Sequence, residues 1–328
     1  MSTEIPDQVQ SHTAHSRLSR EWIWNLALVL VLLIAAVFRF TGIEWDGNQH
    51  LHPDERFLTM VETAISPVYT PGQYFDTTNS SLNPNNHGYS FYVYGSLPLF
   101  IVRYVGEWVG MTGYDQINIV GRVLSAIFDL GTILFVFLIG KRLYRQSKLG
   151  VLAALFSALA VLQIQLSHYF AVDDFANFFT FAAIYVAVCI VTSSRHVTLP
   201  AEEDPEREQY PHWFSSNWSS VTLFIVFGVL YGMALASKVS IWALAALLPL
   251  AAWLYYLKLP IERRSTAVPI LIRNVALGAI VAAVTFRIGQ PYSFNGPGFF
   301  GIGLNPNWLA SLKELSAIQS GSVDVPYA

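Results

Sequence analysis

Two short runs gather most of the side chains able to do acid–base chemistry. They are His52-Pro53-Asp54-Glu55-Arg56 and Ser167-His168-Tyr169-Phe170-Ala171-Val172-Asp173-Asp174. Adjacent carboxylates disfavour each other's ionisation, and burial adds to the effect. One of such a pair can act as general base toward a hydroxyl, or both can hold a divalent cation. The same residues also make ordinary helix starts. Asp54 and Glu55 would stand in the first turn after Pro53, and Asp173 or Asp174 would cap the next helix. His52 and His168 suit ligation or hydrogen bonding, and equally plain packing or solvation. Asp54, Asp173 and His52 are the metal candidates, although two carboxylates with one or two histidines make no recognisable metal spacing.

Three cations complete the set. Arg122, Lys238 and Arg287 each stand at the edge of an apolar run. Snorkelling accounts for any one of them. Three near paired acids suggest an anion site, because Arg and Lys match phosphate oxygens.

The elements that must position these groups are apolar. Of 328 residues, 53% are hydrophobic and 12% charged, and the mean hydropathy is +0.43. Soluble domains carry about 25% charged residues, so the apolar excess here must face lipid. Seven runs are long enough to cross a bilayer: Ile23–Phe38, Val120–Ile139, Leu149–Leu166, Phe175–Thr192, Val221–Ala236, Val239–Leu257 and Val268–Phe286. An eighth, Phe91–Val109, is interrupted by Gly95, Pro98, Arg103 and Glu107 and reads as an interfacial helix. The expected fold is therefore an all-α polytopic membrane protein with about seven transmembrane helices, plus interfacial helices in its first exported loop.

Seven spans put the clusters at Arg17 and Arg20, at 141–148 and at 258–273 all on the cytoplasmic side, as the positive-inside rule asks. This divides the chain into a cytoplasmic tail at 1–21, a transmembrane module at 22–294 and an exported C-terminal segment at 295–328. Within the module, 41–119 is an exported loop and 193–220 an acidic cytoplasmic connection. The first span lacks a small-residue cleavage site and reads as a retained anchor. A net charge of −3 gives no reason to propose nucleic-acid binding, and the lone Cys189 suits packing.

Taken in order, these motifs resemble the GT-C membrane glycosyltransferases, in particular the branch of protein O-mannosyltransferases and lipid-A aminoarabinose transferases. Asp54-Glu55 resembles that branch's acidic pair in the first exported loop. Tyr94-Gly95-Ser96-Leu97-Pro98-Leu99 is similar to its Pro-Pro-Leu-type segment, and Gly121-Arg122-Val123-Leu124 to the Arg-bearing start of the following span. Ser167-His168 through Asp173 is similar to a Ser-Arg-x-x-x-x-Asp turn, with His in place of Arg. Ala236-Ser237-Lys238 and Gln290-Pro291-Tyr292-Ser293-Phe294 resemble the small-residue-Lys step and the Pro-Tyr-x-Phe segment. The resemblance covers about residues 20–295. Family members continue into further spans or an exported domain, whereas this sequence ends some 40 residues beyond the last span.

The resemblance implies transfer of a sugar from a polyprenyl-phosphate carrier to a protein, lipid or glycan acceptor, with inversion, at the exported face of the plasma (inner) membrane. It implies Asp54 as base, Glu55 orienting acceptor or sugar, and Asp173 as a second carboxylate. Arg122, Lys238, His168 and Arg287 would face the phosphate. A divalent metal is possible and not required. Two other classes share the membrane-edge charges: a transporter or flippase for a lipid-linked or anionic solute, and a catalytically silent scaffold. The transporter reading lacks an inverted repeat.

Overall fold

The computed structural model describes residues 8–193 and 218–322, with side chains from 21 to 193 and from 221 to 322. The acidic connection and most of the N-terminal tail's side chains lie outside the described residues, as do 323–328. Twelve α-helices follow in order: α1 Gln8–Phe40, α2 Pro53–Ala64, α3 Pro71–Tyr74, α4 Ser96–Val109, α5 Tyr114–Tyr144, α6 Ser147–Ala158, α7 Val161–Leu166, α8 Val172–Thr192, α9 Trp218–Ser237, α10 Leu247–Lys258, α11 Ile261–Gly289 and α12 Pro306–Gln319. A 3-10 stretch, Val239–Ala246, leads directly into α10. Among the described residues there is no sheet.

Among the described residues, five helical segments are long and apolar enough to cross a membrane: Glu21–Phe40, Tyr114–Tyr144, Val172–Thr192, Val239–Lys258 and Ile261–Gly289. With the shorter apolar helices Ser147–Ala158 and Val221–Ser237 they account for all seven expected runs. The third departs from expectation. The run Leu149–Leu166 is broken at Leu159-Ala160 into α6 and α7. The break frees the last carbonyls of α6, and Arg39 of α1 takes them, donating to Ala158 O at 3.1 Å and Ser157 O at 3.5 Å. The same guanidinium pairs with Asp129 of α5, both groups being fully buried. In lipid an unsatisfied carbonyl costs several kcal/mol, so a break persists only where such a partner exists.

Contacts sort the helix ends onto two faces. At one, Lys141 at the end of α5 and Ser147 at the start of α6 both donate to Glu21, where the apolar part of α1 begins. Arg142 donates to Thr192 at the end of α8, and Lys258 at the end of α10 donates to Val191. The basic residues of both turns thus share one end. The opposite end holds α2, α4 and the starts of α5 and α8. A core of Leu58, Leu99, Ile117, Phe170, Phe175 and Tyr292, among others, binds these into a platform. α4 begins and finishes at this end. Its first residues bond to Ser237 and Gln290, and its last turn hands the chain to the start of α5. It does not cross, as its interruptions predicted.

Candidate active site

The acidic pair opens α2. His52 is the N-cap, its Nδ1 accepting the Glu55 amide at 3.3 Å, and Pro53 takes the first helical position where no amide partner is needed. The two carboxylates then part company. Glu55 is fully buried, and Asp54 stands exposed with no hydrogen bond or ion pair among the described residues.

Arg122 accounts for the difference. Its Nε and Nη2 donate to the two oxygens of Glu55, each at 2.7 Å. Its Nη1 and Nη2 donate to Asp46 at 3.0 and 2.8 Å, and Nη1 also reaches the Ile43 carbonyl at 2.8 Å. All five guanidinium donors are thereby used. Glu55 accepts a further bond from the Phe170 amide at 2.9 Å, and Phe170 packs against Gly121, where a Cβ would approach the ring within 2.3 Å. The dipeptide Gly121-Arg122 therefore joins α2, α5 and the turn before α8. Burial pushes the Asp46 carboxyl up, but hydrogen bonding and charge from Arg122 outweigh it and hold the group below the ordinary aspartate value.

A second junction lies beside it. The Gly95 amide donates to Ser237 O at 3.2 Å, and the Ser96 amide to the Gln290 side chain at 2.5 Å. A Cβ on Gly95 would stand 2.2 Å from both the Ala236 and Ser237 carbonyls, so only glycine fits there. Three of the sequence motifs meet at this point. Lys238 follows Ser237 directly, and its Nζ donates to Asp173 at 2.5 Å, with the two side chains 44% and 37% exposed. Unlike Arg122, this pair is open to solvent and to an incoming ligand. Asp174 turns inward and is buried.

The remaining candidates are held by backbone. His168 places Nδ1 2.7 Å from Ile164 O and Nε2 3.0 Å from Thr41 O, tying the end of α7 to the end of α1. His52 stacks on Tyr169 at 4.3 Å. Arg287 donates to the carbonyls of Phe299, Pro291 and Gly298 at 2.8–3.0 Å, and its guanidinium lies 4.7 Å from the Phe75 ring centroid and 5.0 Å from that of Phe294. No hydrogen bond or ion pair joins Arg287 to Lys238, Arg122 or Asp54 among the described residues. Nor, among them, do three His, Cys, Asp or Glu side chains group as a metal site.

Four buried charges went unmarked in the sequence: Arg39, Asp46, Glu62 and Asp129. Arg39 and Asp129 interrupt otherwise apolar runs with opposite signs, the pattern of two intramembrane groups that pair. Asp46 carried no such signal.

No protein-family model matches the sequence, and no curated protein matches it. A solved structure does, that of the S. cerevisiae protein O-mannosyltransferase Pmt1-Pmt2 complex bound to the sugar donor. The match has a TM-score of 0.56 at 15% sequence identity and covers 84% of this chain. It covers 35% of that chain, so the present chain spans about a third of its neighbour's length. The spans, the non-crossing α4 and this superposition agree that the chain is an integral membrane protein with the GT-C fold of the membrane glycosyltransferases.

Proposed function

We propose that the chain transfers a sugar from a polyprenyl-phosphate carrier to an acceptor hydroxyl, at the exported face of the plasma (inner) membrane. The observation that carries this reading is the contrast within the acidic pair: Glu55 is locked onto Arg122, while Asp54 is exposed and unpartnered at the tip of a rigidly anchored helix. Asp54 then acts as the general base. It takes the hydroxyl proton as the acceptor oxygen attacks the anomeric carbon, opposite the departing phosphate, so the configuration inverts. Lys238 exchanges its contact with Asp173 for the carrier phosphate and neutralises the charge that gathers as the sugar–phosphate bond breaks. Asp173 is left to face the sugar or acceptor.

Glu55 and Arg122 act as positioning residues, since their donors and acceptors are committed to each other and to Asp46. His168 and Arg287 hold backbone segments around the site. The face bearing α2 is taken as exported because the basic turns gather at the opposite end. The site's place at a membrane edge suits a substrate that is half lipid and half sugar.

The test is transfer of labelled sugar from a polyprenyl phosphate in proteoliposomes, comparing the native chain with Asp54→Asn. Transfer falling by at least a hundredfold, with thermal stability unchanged, is the expected outcome. Undiminished transfer in a folded Asp54→Asn protein would remove Asp54 as the base.

A further inference from the structure

At the basic end of the molecule, α10 and α11 leave an apolar groove of about 510 Å³. Pro249, Trp253 and Tyr256 line one side, and Val268, Ile272 and Ala276 line the other. Trp253 and Ile272 are 55% and 64% exposed, so the groove opens outward, toward lipid.

The turn that follows the Tyr256 end of the groove is cationic. The Arg264 guanidinium lies 5.3 Å from the centroid of the Tyr256 ring, at the groove's wall. Its Nε and Nη2 donate to the carbonyls of Leu259 and Leu257, which fixes the group and leaves Nη1 without a partner among the described residues. Arg263 is exposed, and its side chain has no partner among the described residues. Lys258 makes one contact, to Val191 O at 3.0 Å. Glu262 is the single acid between 258 and 264, leaving that turn with a net charge of +2 from three cations and one anion.

A hydrocarbon slot with a cationic rim is complementary to one kind of amphiphile. We propose that the α10–α11 groove binds an anionic phospholipid, with an acyl chain along Trp253 and Ile272 and the phosphate against Arg263, Arg264 and Lys258. Zwitterionic lipids fill the slot equally well but gain less from the rim. From Arg264 to Arg287 is roughly 35 Å along α11 at the helical rise, so this site is separate from the one at the opposite face.

The experiment uses the full chain in nanodiscs and a phosphatidylglycerol carrying a mid-chain diazirine. Label is expected in the peptides covering 249–256 and 268–276. Unlabelled phosphatidylglycerol should displace it at about a fivefold lower concentration than phosphatidylcholine for each basic residue engaged. Arg263→Gln, which removes no contact of the fold, should weaken the phosphatidylglycerol advantage by about fivefold while leaving phosphatidylcholine unchanged. Equal competition by the two lipids would overturn the proposal. So would label spread over other lipid-facing helices such as α1, or an advantage untouched by Arg263→Gln.

Discussion

Glu62 sits on α2 about two turns beyond Glu55, fully buried, with neither carboxyl oxygen hydrogen-bonded among the described residues. Burial pushes its pKa well up, and the Arg103 charge offsets only part of that. A group with a raised folded pKa contributes its full stability below the ordinary glutamate value and loses it as pH rises toward the folded one. The native protein should therefore weaken as pH climbs from about 4.5, whereas Glu62→Gln should not. Melting temperatures of the two, measured between pH 5 and 8, should diverge as pH rises; parallel curves would mean that Glu62 ionises freely. Burial separates the site cations in the same way. Arg122→Gln strands two buried carboxylates and should cost about 3–5 kcal/mol. Lys238→Gln breaks a half-exposed pair and should cost under about 1 kcal/mol, though it should sharply reduce transfer. Equal stability losses on thermal unfolding in detergent would contradict that ranking. Residue types alone could nominate Glu55 and Arg122 for chemistry. Their commitment to each other could not be read, because Glu55 and Arg122 are 67 residues apart in the chain.

At the scale of elements, the most extensive helix contact among the described residues is between α9 and α11. Gly228 and Gly232 lie one turn apart and let the backbones meet. A Cβ at Gly228 would stand 2.4 Å from Gly278 O, and one at Gly232 would stand 2.7 Å from Ala282 O. Small residues four apart allow this approach in a membrane, where packing rather than hydrophobicity drives association. Gly228→Ala should force the helices apart and cost about 1–3 kcal/mol, against no effect for Gly72→Ala, where a Cβ meets open space. A melting temperature unchanged in Gly228→Ala would show that α9 and α11 can separate freely. Hydropathy made the crossing runs legible, and charge made α4 legible as a helix that stays at one face. The break between α6 and α7 was not, since both halves are apolar and the group that stabilises it comes from α1, 119 residues away.

For the whole molecule, the two faces are the organising fact. Basic turns occupy one and the candidate site the other, as seven crossings require. With Cys189 replaced by Ala, Thr70→Cys and Arg145→Cys, both at exposed positions, should react with an impermeant maleimide from opposite sides of a sealed membrane. Labelling from the same side would remove the seven-span count. That the basic turns share one end was legible from sequence, because counting crossings from apolar runs and Lys and Arg positions needs no tertiary information. How the loops fold over the site end was not, because that platform is held by contacts such as Tyr74 to Ile288 O and Thr77 to Phe294 O, each joining residues more than 200 positions apart.

The buried pair of Arg39 and Asp129 also imposes an order in time. The arginine is synthesised 90 residues before its aspartate, so α1 reaches the bilayer carrying a charge that nothing yet neutralises. Standing one residue from the end of its helix, Arg39 can wait in the headgroup layer with its alkyl stem extended. It reaches its final depth when α5 arrives with the countercharge and α6 with the open carbonyls. The earliest of the described helices is in this sense among the last to settle, and its position depends on a part of the chain still to be translated when it inserts.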